Sequence, residues 1–282
     1  MLTVHTVEAL RAQLARWREA GETLALVPTM GNLHEGHLSL VRRARSEAQR
    51  VVVSIFVNPL QFGPSEDFDR YPRTLDEDQQ RLRGVGCDLV FAPTVSEMYP
   101  GGRSGITRVS VPGLGEQLEG EFRPGFFDGV ATVVNILFNC VQPQLAVFGE
   151  KDYQQLLVIR RMVAELQLPI RVIGEPTARE PDGLALSSRN QYLSAEERRL
   201  APTLHRALQA VAERLRSGAR DYAGLQQEAQ RYLEAQGFKP QYVAIREPQR
   251  LEPPSPTARD WVILVAAHLG RTRLIDNLVL SL

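Results

Sequence analysis

Residues 23–41, TLALVPTMGNLHEGHLSLV, decide the fold. TLALVPT is a short apolar run of strand length. MGNLHEGH then removes side-chain bulk at Gly31 and Gly36, and HLSLV begins a helical apolar spacing. Strand, glycine-containing turn and helix start, in that order, open a βαβ unit. Working outward, a helix expected over about 36–49 leads into VVVSIFVN at 51–58. The short apolar pattern returns as DLVFAP at 88–93, LAVFGE at 145–150 and IRVIGEP at 170–176, with helical spacing at roughly 74–84, 129–141 and 153–166. Apolar strands separated by helices predict an α/β fold with a Rossmann-like, doubly wound parallel sheet. Ligands of such sheets bind beyond the carboxyl ends of the strands.

The pattern changes after SSRN, residues 187–190. Residues 194–217 and 221–236 read as amphipathic helices, the first opened by Ser194 with Glu197 at capping-box spacing. KPQYVAIRE (239–247), DWVILVAAHLG (260–270) and TRLIDNLVL (272–280) read as strands. Residues 1–176 are therefore expected to form the Rossmann-like domain, and 177–282 a smaller helix-plus-antiparallel-sheet domain.

Thirty-three lysines and arginines balance 33 aspartates and glutamates across 282 residues, so no global field draws the chain to nucleic acid or an anionic membrane. Charges interrupt the apolar positions of MLTVHTVEALRAQLARWREAG, unlike a signal peptide. No stretch approaches the ~18 uninterrupted apolar residues of a membrane helix. Cys87 and Cys140 lack metal-ligand spacing and are expected as buried, reduced thiols of a cytoplasmic protein.

Four stretches stand where an open α/β sheet places a site. In PTMGNLHEGHLSLV, His34 and His37 are three apart and project from one side of the first helical turn, whose free N–H groups favour phosphate. FVNPLQFGPSEDFDRYPRT, 56–74, offers the amides Asn58 and Gln61 and then a long loop, a candidate lid over 60–74. FGEKDYQQL, 148–156, offers Lys151 as a point charge for phosphate, Asp152 for a ribose hydroxyl or a metal-bound phosphate, and Gln155 one turn on. DGLALSSRN, 182–190, brings two hydroxyls and the Arg189 guanidinium. Each has a plainer structural reading as well: a helix cap with solvated histidines, a polar loop, a charged helix start and a polar linker. His205 and His268 are expected to be structural, and Glu66, Asp67 and Asp69 to be a solvated loop.

Taken together, PTMGNLHEGH, FVNPLQF, FGEKDYQQL and SSRN, in this order and at these separations, resemble the pantothenate synthetase family. The likeness is strong over about 23–195 and weaker in the helical tail. H-x-G-H alone would suggest only the wider nucleotidyltransferase superfamily. The resemblance implies an AMP-forming ligase of coenzyme A biosynthesis that joins pantoate to β-alanine through a pantoyl-adenylate. It implies an ATP site of Met30, Gly31, Asn32, Leu33, His34, Glu35, Gly36 and His37, with Gly149, Glu150, Lys151 and Asp152, the backbone near Ala178, and Leu186, Ser187, Ser188 and Arg189. His37 matches the family's proton donor, Gln61 and Gln155 its pantoate-binding glutamines, and Gln61 also lies near the β-alanine position. Catalysis falls to His34, His37, Lys151 and Arg189. Mg²⁺ is expected to arrive with ATP, the C-terminal domain to close over the ATP site, and the chain to be a homodimer. Phe126 departs from the family, which commonly carries histidine there.

Three other functions share parts of this pattern. A nucleotidyltransferase acting on a phosphorylated metabolite would need a basic pocket in place of Gln61 and Gln155. A tRNA-charging enzyme would need a basic surface that zero net charge argues against. A nucleotide sensor would need neither both histidines nor the glutamines.

Overall fold

The computed structural model describes residues 1–64, 66–102 and 104–282; Ser65, within the 60–74 loop, lies outside the described residues. The chain divides into two compact units, Met1–Glu150 with Val158–Pro176, and Lys151–Leu157 with Thr177–Leu282.

The first unit is built on a six-stranded parallel sheet of β1 (Leu2–Val4), β2 (Leu24–Thr29), β3 (Arg50–Ile55), β4 (Leu89–Phe91), β5 (Leu145–Gly149) and β6 (Arg171–Glu175), in the order β1-β4-β3-β2-β5-β6. Its helices are α1 (Val7–Glu19), α2 (Glu35–Glu47), α3 (Leu75–Gly84), the short α4 (Val95–Met98) and α5 (Glu119–Phe122), α6 (Phe126–Val141), and α7 (Tyr153–Glu165), within which the division between units falls. Ala25, Val27, Val51, Val53, Val90 and Val147 are fully buried and pack with Val41 and Ala44 of α2. Strands covered on both faces must be apolar at nearly every position, which is why these runs lack polar alternation.

Strand order reverses between β2 and β5. Their ladder contains only Ala25↔Leu145 and Leu26↔Ala146, whereas β2–β3 continues to Thr29↔Ile55 and β5–β6 to Gly149↔Glu175. The two strands thus part towards their carboxyl ends and open the crevice expected at a switch point. Pro28, with no N–H to donate, falls beyond the last β2–β5 pair, where it costs that ladder nothing.

The elements expected from apolar spacing are present with shifted ends. VVVSIFVN stops as a strand at Ile55, because Asn58 and Pro59 start a 3-10 turn over Pro59–Gln61. The N-terminal stretch, unassigned from its sequence, forms β1 and α1.

In the second unit, α8 (Ala195–Leu200), α9 (Thr203–Arg216) and α10 (Tyr222–Ala235) accompany an antiparallel sheet of β7 (Phe238–Arg246), β8 (Asp260–Leu269) and β9 (Thr272–Ser281). Ser194 and Glu197 form the expected capping box. The expected 194–217 helix is interrupted at Ala201–Pro202, since proline cannot supply the N–H that continues an α-helix. Leu204, Leu208, Val211 and Leu215 of α9 pack with Trp261, Ile263 and Val265 of β8 in this unit's core. Among the described residues no helix is long and apolar enough to cross a membrane, and Cys87 and Cys140 are buried free thiols.

Candidate active site

Beyond β2 the chain turns through residues that few side chains could replace. Gly31 adopts φ 81°, and a Cβ there would stand 3.1 Å from both an Asp78 carboxylate oxygen and an Ile55 methyl. Asn32 follows at φ 51°. Asp78, buried in the first turn of α3, accepts the N–H groups of Asn32 at 2.9 Å and Leu33 at 2.7 Å and the Thr74 hydroxyl at 3.2 Å. Arg81, one turn further along α3, donates to the Leu33 carbonyl. Burial raises the Asp78 pKa, with the Leu33 and Asn32 N–H bonds, the Thr74 bond and the Arg81 charge opposing it. An aspartate that reads in sequence as an ordinary helix-start acid is thus the anchor of the 30–33 turn.

His34 is the extended N-cap of α2, and its backbone N–H lies 3.3 Å from Nδ1 of His37. The two rings stand 4.1 Å apart between centroids, tilted by 45°. A backbone N–H only donates, so His37 Nδ1 is the acceptor and the neutral ring carries its proton on Nε2. The helix start adds the N–H groups of its first turn and a positive dipole end.

Asn58 and Gln61 form the second cluster, on the 3-10 turn after β3. Asn58 Nδ2 donates to Gln61 Oε1 at 2.9 Å and to the Gly129 carbonyl at 3.1 Å, while its Oδ1 accepts from the Tyr99 hydroxyl at 2.7 Å and the Leu60 N–H at 3.2 Å. That leaves Gln61 Nε2 directed at the Met30 sulfur, 3.3 Å away. Gly129 makes this possible: a Cβ there would overlap the Leu60 carbonyl oxygen at 2.3 Å. Arg123 donates to the Gln61 carbonyl at 3.2 Å and grips Glu66 through two 2.7 Å bonds, tying the 62–74 loop to the residues before α6. Its guanidinium lies 3.6 Å from the Phe126 ring centroid. Phe126, read in the sequence as a departure from the resembling family, therefore places an uncharged aromatic face beneath an arginine. Glu66 serves this ion pair, whereas the sequence suggested only solvated acids.

The third cluster belongs to the second unit. Lys151 Nζ stands 3.6 Å from Asp152 Oδ1, and the Lys151 carbonyl accepts Asn277 Nδ2 at 2.9 Å. Gln155 is half-buried two residues into α7. Residues 178–186 form a small hairpin: Leu186 N–H donates to the Ala178 carbonyl at 2.9 Å, Arg179 bridges Ala185, and Glu180 N–H donates to the Leu184 carbonyl at 2.8 Å. Ser187 caps the following turn by accepting the Arg189 N–H at 3.3 Å. Arg179 is bound bidentately by buried Asp276, at 2.7 and 2.8 Å. His205 Nδ1 lies 3.5 Å from the same carboxylate, in keeping with a structural histidine. His268, half-buried on β8, has its pKa lowered by burial and then by Arg273 and Lys239.

The structure thus brings Met30, His34, His37 and Gln61 into one unit, with Gly149 and Glu150 at the end of β5 in that unit. It brings Lys151, Asp152, Gln155, Ala178 and Leu186–Arg189 into the other. Asp78, Tyr99, Arg123, Asp276 and Asn277 escaped the sequence reading. Only Asp276–Asn277 left a signal, as polar residues inside the apolar run LIDNLVL.

Residues 2–279 match the family model described as pantoate-beta-alanine ligase. A curated relative from Thioalkalivibrio sulfidiphilus, named pantothenate synthetase, is 60% identical over 282 residues, spanning 100% of this chain and 99% of that one. The like-named protein of Pseudomonas aeruginosa strain PAO1 is 58% identical, with 100% of both chains covered. A solved pantothenate synthetase from Thermus thermophilus superposes with a TM-score of 0.92 at 53% identity, covering 99% of each chain. The Francisella tularensis pantoate-beta-alanine ligase, solved with beta-gamma ATP and beta-alanine, gives 0.82 at 33% identity, covering 99% of this chain and 97% of that one.

Proposed function

Because the chain belongs to the pantoate–β-alanine ligase family, we propose that it condenses (R)-pantoate with β-alanine at the expense of ATP, releasing AMP and pyrophosphate. A pantoate carboxylate oxygen attacks the α-phosphorus of ATP as the bond to the pyrophosphate oxygen breaks, giving pantoyl-adenylate. The neutral amine of β-alanine then attacks the acyl carbon, AMP leaves, and the ammonium formed on attack loses its proton.

A carboxylate is a weak nucleophile, so the first step depends on alignment and on stabilising charge at the phosphates. The observation that carries this reading is the His34–His37 contact, which makes Nδ1 of His37 an acceptor and so puts the proton of the neutral ring on Nε2, the atom this reading assigns to a phosphate oxygen. His34, Lys151 and Arg189 supply the remaining hydrogen bonds and positive charge. The nucleotide is assigned to residues 30–37, 149–152, Ala178 and 186–189. Gln61 and Gln155 hold pantoate through neutral amides, which offer no free amine to compete for the activated acyl group, and Gln61 also borders β-alanine.

Mg²⁺ enters with the nucleotide. Asp152, with 47% of its side chain exposed, provides a hard oxygen suited to meeting the ion directly or through water. When bound, Mg²⁺ neutralises charge on the phosphates. We place the enzyme in the cytoplasm as a homodimer, with domains at 1–176 and 177–282, and treat the 60–74 loop as a lid that keeps water from the mixed anhydride.

Pyrophosphate exchange tests the route. With ATP, Mg²⁺ and pantoate but no β-alanine, labelled pyrophosphate should enter ATP, and adding β-alanine should yield pantothenate and AMP in equal amounts. ADP formation would overturn the adenylate route, and absence of both exchange and product would overturn the assignment.

A further inference from the structure

Strand β9 carries a polar pair, Asp276–Asn277, within an apolar alternation, and both residues are buried. Successive strand residues face opposite sides of a sheet, so the pair reaches two different segments. Asp276 shares its side with the core residues Leu274 and Leu280 and receives both arms of Arg179. Arg179 also donates to the Asn277 carbonyl at 3.2 Å and the Gly183 carbonyl at 3.1 Å, so one guanidinium joins strand and hairpin. From the other side, Asn277 Nδ2 donates to the Lys151 carbonyl at 2.9 Å. Two adjacent residues of one strand thus hold both segments of this unit that the reading above gives to the nucleotide. A buried carboxylate is a poor source of stability compared with an apolar side chain, whereas a bidentate arginine pair fixes direction and distance.

We propose that Asp276 and Asn277 are positioning residues for adenylation, Asp276 registering the 178–189 segment through Arg179 and Asn277 registering Lys151 through its carbonyl. The proposal rests on the assignment of Lys151 and Arg189 to ATP. Asn277 acts through Lys151, so its loss should matter only while Lys151 can reach phosphate. A purely structural residue would instead cost the same in either background.

The test is a double-mutant cycle read by pantoate-dependent pyrophosphate exchange on the full chain. Asn277→Leu should slow exchange at fixed ATP about 10-fold, the scale of one lost hydrogen bond. In a Lys151→Ala background the same change should cost under about 2-fold, the non-additivity of coupled sites. Arg179→Lys, which keeps the charge but not the fork, should couple to Arg189→Ala in the same way. The pantoate KM should stay within about 2-fold for Asn277→Leu, since the Lys151 carbonyl is not among the groups assigned to pantoate. Equal losses in both backgrounds, or no loss with Asn277→Leu, overturns the proposal. If Asn277→Leu does not fold, Asn277→Ser enters the same cycle under the same criteria. An unchanged rate in Lys151→Ala would refute the nucleotide assignment and this proposal with it. Impairment in Lys151→Ala beside a normal Asn277→Leu would remove the proposal alone.

Discussion

His37 and Asp78 lie within one turn-and-helix assembly and fail differently when changed. On the role proposed for His37, His37→Ala removes the Nε2 donor together with the Nδ1 acceptor of the His34 N–H, and the adenylation rate should fall about 10²–10³-fold, the scale of one lost transition-state donor. Its thermal midpoint should move little; exchange kinetics beside a melting curve check both. Asp78 is a matter of pH and stability. Burial raises its folded-state pKa above the unfolded value of ~3.9, so the proton it binds favours the folded chain. That contribution is complete below the unfolded value and is lost as pH rises through the raised folded one. Asp78→Asn abolishes the titration, and its denaturation midpoint should lack the decline attributable to Asp78 over that window. Parallel pH slopes for the two proteins would contradict the assignment. Asp78 was illegible in the sequence because Asp76, Glu77 and Asp78 together look like the usual acidic first turn of a helix. Nothing local tells which carboxylate turns inward.

Among the elements, docking of α6 on the 59–61 turn is the contact with least tolerance. A methyl group at Gly129 would sit 2.3 Å from the Leu60 carbonyl oxygen and 2.9 Å from the Gln61 nitrogen. Overpacking of this kind costs roughly 1–3 kcal/mol, and here the displaced backbone carries Gln61, the amide proposed above to hold pantoate. Gly129→Ala should therefore raise the pantoate KM by about 10-fold or more, the equivalent of ~1.4 kcal/mol, while the ATP KM changes by under about 2-fold. Steady-state kinetics with each substrate varied in turn would decide it. The strands and most helices of the first unit were readable because burial on both faces forces continuous apolar runs. The Pro202 interruption is masked in the sequence, since amphipathic spacing continues across the break even though the hydrogen-bond ladder does not. The clusters at 30–37 and 148–156 were legible through their place after strands. Their supports in α3, α6 and β9 were not, because those contacts join residues far apart in sequence.

For the molecule as a whole, the proposed homodimer predicts a sedimentation coefficient of two chains at working concentration, and a single-chain species there would remove it. Zero net charge predicts that activity varies little with added duplex DNA, because no global field gathers polyanions.

The brief β2–β5 ladder also governs how the sheet comes into being. The partners of Ala25 and Leu26 are Leu145 and Ala146, which follow every intervening helix and strand from α2 to α6. At ~5–20 residues per second of synthesis, the inner edge of β2 waits on the order of ten seconds for its neighbour. During that interval the nascent chain presents an unpaired apolar edge, the kind of surface on which chains aggregate. Assembly is therefore most vulnerable at the seam that later opens as the crevice. Ribosome-bound chains halted before Leu145 should crosslink to holdase chaperones far more strongly than chains halted after Glu175.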